Sequence, residues 1–257
     1  MDETSIALVA DAFAAAEASG GNAVPAVLPA TLDEAAAIQD AFLRRRGRPV
    51  AAWKLGATNR ASIATLGLPQ GFAGAIAAGN LWPSGGILPP GTLRQRGVEV
   101  EIAFRIGRTL SAEAAPWTAA VLRDAIASVH AALEIPQARM ARIGEYGPLT
   151  LVADNGAAGH AVIGEGIADW DPAAIAGAAA ELRVDGSRVA SGSAAEVIAG
   201  PFDSLLALAR RLQVRGYDLV EGQVVLTGSL TPYFLVSEGV GVHAMIAGIG
   251  EVGAFIG

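Results

Sequence analysis

The chain has 257 residues, a net charge of −7, 52% hydrophobic residues, 5% aromatic residues and no cysteine. That length suits one large domain or one domain with a small annex, and a mildly acidic chain without basic clusters is a poor binder of nucleic acid. The lack of cysteine excludes disulfides, thiolate zinc sites and cysteine nucleophiles, and fits a cytoplasmic protein.

The opening "MDETSIALVADAF" is acidic and amphipathic, without the basic and apolar regions of a signal peptide. No apolar run reaches the roughly 20 residues that span a bilayer, so no membrane partner is expected. Residues 3–18 read as a helix, with Ile6, Val9, Ala10 and Phe13 at helical spacing and Gly20-Gly21 as its stop. Thr31 and Glu34 form a capping-box pattern that opens a second helix towards Arg46. The basic run "LRRRG", Leu43 to Gly47, complements the C-terminus of that helix better than it forms a phosphate patch. "VAAWKLGA", Val50 to Ala57, reads as a strand, and a short helix follows Asn59. The Gly/Pro-rich stretch "GLPQGFAGAIAAGNLWPSGGILPPG" reads as punctuation. It divides an N-terminal helical region with the first strand, residues 1–75, from a catalytic part, residues 76–257.

"RGVEVEIAFRIG", Arg96 to Gly107, alternates cleanly: Val98, Val100, Ile102, Phe104 and Ile106 against Glu99, Glu101, Ala103 and Arg105. Strict alternation predicts a strand with one buried face. Residues 117–130 look helical, and "AALEIPQAR", Ala131 to Arg139, reads as the next strand. "ELRVDGSRVASG" is a β-hairpin turning at Asp185-Gly186. Residues 201–214 read as an amphipathic helix, and the remaining chain is strand-rich with glycine turns. Helices and strands interleave only loosely, which favours an α+β fold over a doubly wound one.

Two glutamates on one strand face sit roughly 6.5–7 Å apart along the chain, where like charges repel and raise each other's pKa. Glu134 adds a third carboxylate in an apolar neighbourhood. A hard divalent cation such as Mg²⁺ or Mn²⁺ would reconcile the three, because it takes oxygen ligands. On spacing alone, a solvated strand face explains Glu99 and Glu101 as well. Asp154-Asn155 reads either as a pair orienting a metal-bound water or as a turn cap. "TGSL", Thr227 to Leu230, offers hydroxyls and backbone N–H groups to a carboxylate, or simply ends a strand. His130 lies in an apolar helix-to-strand passage and reads as a core residue.

"WKLGAT", "VEVEIAF", "LEIPQAR", "VADN" and "VVLTGSL" occur in the order and rough spacing of the fumarylacetoacetate hydrolase superfamily. The chain most resembles its 2-keto-4-pentenoate hydratase and 4-oxalocrotonate decarboxylase branch over nearly its whole length. The resemblance implies a curled mixed β-roll with peripheral helices. It implies Mg²⁺ or Mn²⁺ on Glu99, Glu101 and Glu134, and an active-site lysine at Lys54. Asp154 joins Lys54 as an expected catalytic residue, and Thr227, Gly228, Ser229, Arg139 and Gln137 as expected substrate-binding residues. The implied substrate is a small 2-oxo or 2-hydroxy-dienoate acid. The implied reaction is hydration of a 2-hydroxy-2,4-dienoate to a 4-hydroxy-2-oxo acid, with decarboxylation of an oxalocrotonate-like diacid as the alternative. The chain is expected as a homo-oligomer or in a complex with a sister decarboxylase or hydratase.

The motif set also has departures. Gln137 stands where relatives carry an acid, and Ala138, Ala157 and Ala158 stand where they tend to carry hydroxyls. These changes raise a further alternative, a weakly catalytic partner subunit that binds 2-oxo acids. No histidine precedes Glu99, which ranks a C–C hydrolase of the acylpyruvate type lower still.

Overall fold

The computed structural model describes residues 1–257. Two helices open the chain, α1 (Glu3–Ser19) and α2 (Leu32–Arg46). Asp2 and Thr31 cap them by accepting from Ser5 N and Glu34 N, and left-handed Gly20 and Gly47 end them. Only one arm of the expected capping box forms. The Glu34 carboxylate turns to Ala30 N, at 2.7 Å, and to the N-terminal ammonium.

The remaining elements are β1 (Val50–Gly56), α3 (Arg60–Leu66), β2 (Phe72–Ala77), β3 (Leu81–Pro83), β4 (Gly86–Leu88), β5 (Gly97–Ile106), α4 (Ala119–Ala125), β6 (Ile126–Ile135), α5 (Pro148–Ala153), β7 (His160–Ile167), α6 (Pro172–Ile175), β8 (Ala179–Val184), β9 (Ser187–Ser193), α7 (Pro201–Val214), β10 (Val224–Ser229), β11 (Phe234–Leu235), β12 (Val240–Ile246) and β13 (Gly250–Ile256).

The larger sheet runs β2-β1-β10-β5-β6-β7-β3, with β11 on the end of β5. It is mixed: β1 with β10 and β3 with β7 are parallel, and the other pairs are antiparallel. This sheet curls so that its end strands β2 and β3 are joined by residues 78–80 alone and β2 comes against β7. One face holds the main core, including Val98, Val100, Ile102 and Phe104. The enclosed face carries Ala52, Ile76, Ala103, Ala132, Ala161, Val224 and Leu226, packed together. Mostly small side chains there let the strands curl closely around one another. The smaller sheet runs β4-β13-β12-β8-β9 and lies over β6 and β7 through β13. Asp185 and Gly186, at φ 47° and 79°, make the expected β8–β9 turn.

Three expectations are corrected. The β5 strand has both faces covered, since the curled sheet encloses the side that carries Glu101 and Ala103. The Gly/Pro-rich stretch contains three strands, and β2 pairs with β1 across it. Its glycines admit close neighbours: a Cβ on Gly74 would lie 2.4 Å from Asn155 O and 3.1 Å from the Lys54 Cε. The predicted helix over 117–130 stops at Ala125, and β6 takes residues 126–135 until Pro136 ends the ladder. The architecture is the expected α+β fold with a curled mixed sheet and peripheral helices, and no helix is long and apolar enough to cross a membrane.

Candidate active site

Side-chain alternation puts Lys54, Glu99, Glu101 and Glu134 on the enclosed face, in step with Ala52, Ala103 and Ala132. They sit at one end of the curl, where the alanine lining gives way to charge. Glu99 and Glu134 are register partners on β5 and β6. Oxygens of the three carboxylates lie within 4.8 Å of one another. Lys54 Nζ lies 3.1 Å from Glu134 Oε1, and its charge rests 5.4 Å from the centre of the Phe72 ring. Glu134 Oε1 is buried, and the Lys54 ammonium is its one polar partner.

The electrostatics are unbalanced. Three carboxylates against one ammonium leave two negative charges uncompensated in a buried setting, which is strongly unfavourable without a cation. Burial, then repulsion from Glu134, pushes the Glu99 carboxyl up to about 7. Burial and its two acidic neighbours raise Glu101 well above the ordinary range as well.

The "TGSL" segment supports this cluster. Gly228 N donates to Glu101 Oε2 at 2.8 Å. Gly228 has φ 112°, and a Cβ there would fall 1.9 Å from Thr58 Oγ1, so only glycine fits. Ser229 is the register partner of Glu101 and donates its hydroxyl to Thr231 O at 2.6 Å. The Thr227 hydroxyl donates to Ile102 O at 3.0 Å and ties β10 to β5. None of the three lines the adjoining cavity.

That cavity, about 360 Å³, opens beside Lys54 and Glu99 and is otherwise walled by Phe72, Tyr233, Leu66 and Ile143, among other mostly apolar groups. Lys54 is its sole cation. Sequence reasoning did not single out Tyr233 or Phe72. Tyr233 lies against Gly97, where a Cβ would meet its ring at 1.9 Å, and a Cβ on Gly56 would meet the Phe72 ring at 2.3 Å. Glycines facing aromatic residues across a strand pair were the available signal. Burial, then Glu99 and Glu134, raises the Tyr233 pKa, so its phenol stays protonated.

Asp154, Arg139 and Gln137 are not brought to the carboxylates. Asp154 is fully buried and accepts from Arg139 N at 2.9 Å and Arg139 Nε at 2.5 Å, and its carbonyl accepts from Nη2 at 2.9 Å. Arg139 also donates to Glu17 and Ala158 O. Burial opposes its charge, yet Asp154 and Glu17 raise its pKa. The Gln137 amide is spent on backbone: its oxygen accepts from Arg94 N and Gln95 N, and its nitrogen donates to Gln95 O and Pro136 O. The turn after Pro136 directs Gln137 and Arg139 away from the enclosed face, and Asp154, at the end of α5, is engaged with Arg139. Asn155 pins β2 instead, accepting from Ala75 N and donating to Ala75 O, each at 2.8 Å. Of the departures from the motif set, Ala157 lines the cavity, beside Gly156. His130 is a strand residue held by Ser128 and Gly164 O, in keeping with a core role.

Comparison with known proteins agrees with this geometry. A 2-keto-4-pentenoate hydratase of Burkholderia vietnamiensis is 32% identical, with 98% of each chain covered. A 4-oxalocrotonate decarboxylase of a Pseudomonas species is 26% identical over 86% of each. The 4-oxalocrotonate decarboxylase of Pseudomonas putida G7, solved with magnesium and adipate, shares the fold with a TM-score of 0.86 at 23% identity, covering 99% of this chain and 98% of that one. Residues 49–256, β1 through β13, match the family described as fumarylacetoacetate (FAA) hydrolase C-terminal, and the chain belongs to that family.

Proposed function

We propose that this protein is a divalent-metal-dependent hydro-lyase that hydrates a 2-hydroxy-2,4-dienoate to a 4-hydroxy-2-oxo acid. The observation that carries the reading is the buried three-carboxylate, one-lysine cluster at the mouth of a largely apolar cavity. Glu99, Glu101 and Glu134 would hold Mg²⁺ or Mn²⁺. The two uncompensated charges fit such an ion, and an all-oxygen donor set selects a hard one. When bound, it supplies electrophilic stabilisation of charge at the C2 oxygen of a 2-oxo acid.

The chain's own groups do the rest. Lys54 pairs with the substrate carboxylate and carries the proton released by the enol oxygen to C5. Positioned proton transfer of this kind contributes about 10²–10⁴-fold. The protonated Tyr233 phenol holds the water that adds at C4, with its second proton going to C3. Phe72, Leu66 and Ile143 exclude bulk water and receive the hydrocarbon end. The Gly228 N–H fixes Glu101 in place.

The fold shared with a 4-oxalocrotonate decarboxylase favours a second reading, loss of CO₂ from a related diacid. Against it, the cavity offers no second cation for a second carboxylate. A homo-oligomer is part of the proposal, motivated by the adjacent exposed side chains of Ile87 and Phe255 on the smaller sheet. So is cytoplasmic location, on the cysteine-free composition. The test is loss of dienol absorbance from 2-hydroxypenta-2,4-dienoate on adding Mn²⁺, with the product read by NMR. Metal-dependent appearance of 4-hydroxy-2-oxopentanoate is expected. CO₂ release from 4-oxalocrotonate without hydration would install the second reading, and neither reaction would leave the partner-subunit alternative.

A further inference from the structure

A second cavity, about 230 Å³, lies behind the carboxylate site and is lined by Glu17, Arg46, Arg48, Arg94, Arg139 and His160, with Thr92 at its edge. The two cavities share a wall. Pro136 and Ala157 face the carboxylate site, and their chain neighbours Gln137 and Ala158 face this one. Four guanidinium groups meet here against the Glu17 carboxylate, while Asp154 is already engaged behind Arg139. Proteins seldom gather so much like charge without a counter-ion.

Two side chains of the lining, Arg46 and His160, carry N–H donors without acceptors. Arg46 gives one bond, Nη1 to Ala75 O at 3.1 Å, while its Nε and Nη2 are solvent-excluded and have no acceptor in the protein. Leaving such donors unmet is costly. Burial, together with Arg139 and Arg48 and in spite of Glu17, lowers the Arg46 pKa to about 10. The His160 ring is held neutral, its pKa lowered to about 4 by burial and then by Arg48. Its Nδ1 accepts from Trp82 Nε1 at 3.1 Å, so the proton must sit on Nε2. That Nε2–H makes no hydrogen bond within the protein. Arg48 is partly spent on Ala78 O and Asn80 Oδ1 but stays exposed. Arg94 ties α1 to this wall through Ala16 O and Asn22 Oδ1. A ligand that suits this lining is compact, carries several acceptors and bears two negative charges.

We propose that this cavity binds a small dianionic oxyanion, of the phosphate or dicarboxylate kind, at a site separate from the metal-side cavity. Guanidinium groups suit both, because their paired N–H donors match phosphate and carboxylate oxygens. Arg46 and Arg48 hold the anion, His160 contributes a neutral donor, and Arg139 supplies charge from the shared wall.

The experiment is calorimetric titration of metal-free protein at low ionic strength, with inorganic phosphate in one arm and succinate in the other. One site per chain is expected, and the tighter arm distinguishes a phosphate ligand from a dicarboxylate. Arg46→Met keeps the stem of the side chain and removes its donors, and Arg48→Ala removes an exposed guanidinium. Each should weaken binding at least about 10-fold, the scale of one lost charge-assisted bond. Lys54→Met should leave binding unchanged. No binding in either arm, binding that survives both arginine substitutions, or binding lost with Lys54 would overturn the proposal.

Discussion

Removing the Asp154 carboxylate separates a structural role from a chemical one. Asp154 and Arg139 are both buried, and the pair is joined by two bonds to the carboxylate and one to the Asp154 carbonyl. Asp154→Ala leaves Arg139 with Glu17, Ala158 O and the backbone carbonyl of residue 154 as partners and strands part of its charge. Breaking a buried pair by deleting one partner costs about 3–5 kcal/mol. That is a large share of the roughly 5–15 kcal/mol that holds a domain folded. At about 2–4 °C per kcal/mol for a chain of this size, the melting temperature should fall by roughly 6–20 °C. Asp154→Asn, which keeps the shape and one acceptor, should fall less. Thermal unfolding followed by circular dichroism measures the shift, and turnover assayed well below the lowered midpoint measures chemistry. An unchanged midpoint with turnover down about 10²-fold would refute this reasoning and return Asp154 to the catalytic role expected from sequence.

Lys54→Met should reduce dienoate turnover by about 10²-fold or more while Mn²⁺ still binds, as steady-state kinetics beside a binding titration will show. Glu99 and Glu101 are more easily protonated in the folded protein than unfolded, where a glutamate titrates near about 4.3. The metal-free protein should therefore be most stable in mild acid and lose stability as pH rises from about 4.5 through 7, the folded state binding more protons over that window. Saturating Mn²⁺ should reverse the trend, and melting curves from about pH 5 to 8 with and without metal check both signs. Gly228→Ala, which puts a Cβ on Thr58 at positive φ, should lower the midpoint and weaken metal binding together. Unchanged Mn²⁺ affinity in that variant would mean the Gly228 N–H does not position Glu101.

What the sequence made legible was local. The alternation from Val98 to Ile106, the Thr31 cap and the Asp185-Gly186 turn each encode their element in neighbouring residues, and each formed. Elements set by the curl of the sheet were hidden. "AIASVHAAL" has helix-forming alanines, yet it is strand because small side chains fit the enclosed face. Phe72 to Ala77 reads as punctuation because its glycine makes room for Lys54 and Asn155, contacts invisible without the fold. The carboxylates were readable because two share a strand face and the third follows in a recognisable motif. The direction of Gln137, Arg139 and Asp154 was not readable, because Pro136 and the left-handed run Asn155–Ala157 set it, which spacing does not encode.

The central claim is that Glu99, Glu101 and Glu134 form one metal site. Calorimetric titration of metal-free protein with Mn²⁺, wild type beside Glu101→Gln, tests it most directly. The account predicts one ion per chain in the wild type, with affinity falling as pH drops below about 7 and proton release on binding. It predicts loss of that binding in the variant, with the circular dichroism spectrum preserved. Equal Mn²⁺ affinity in both proteins would contradict it.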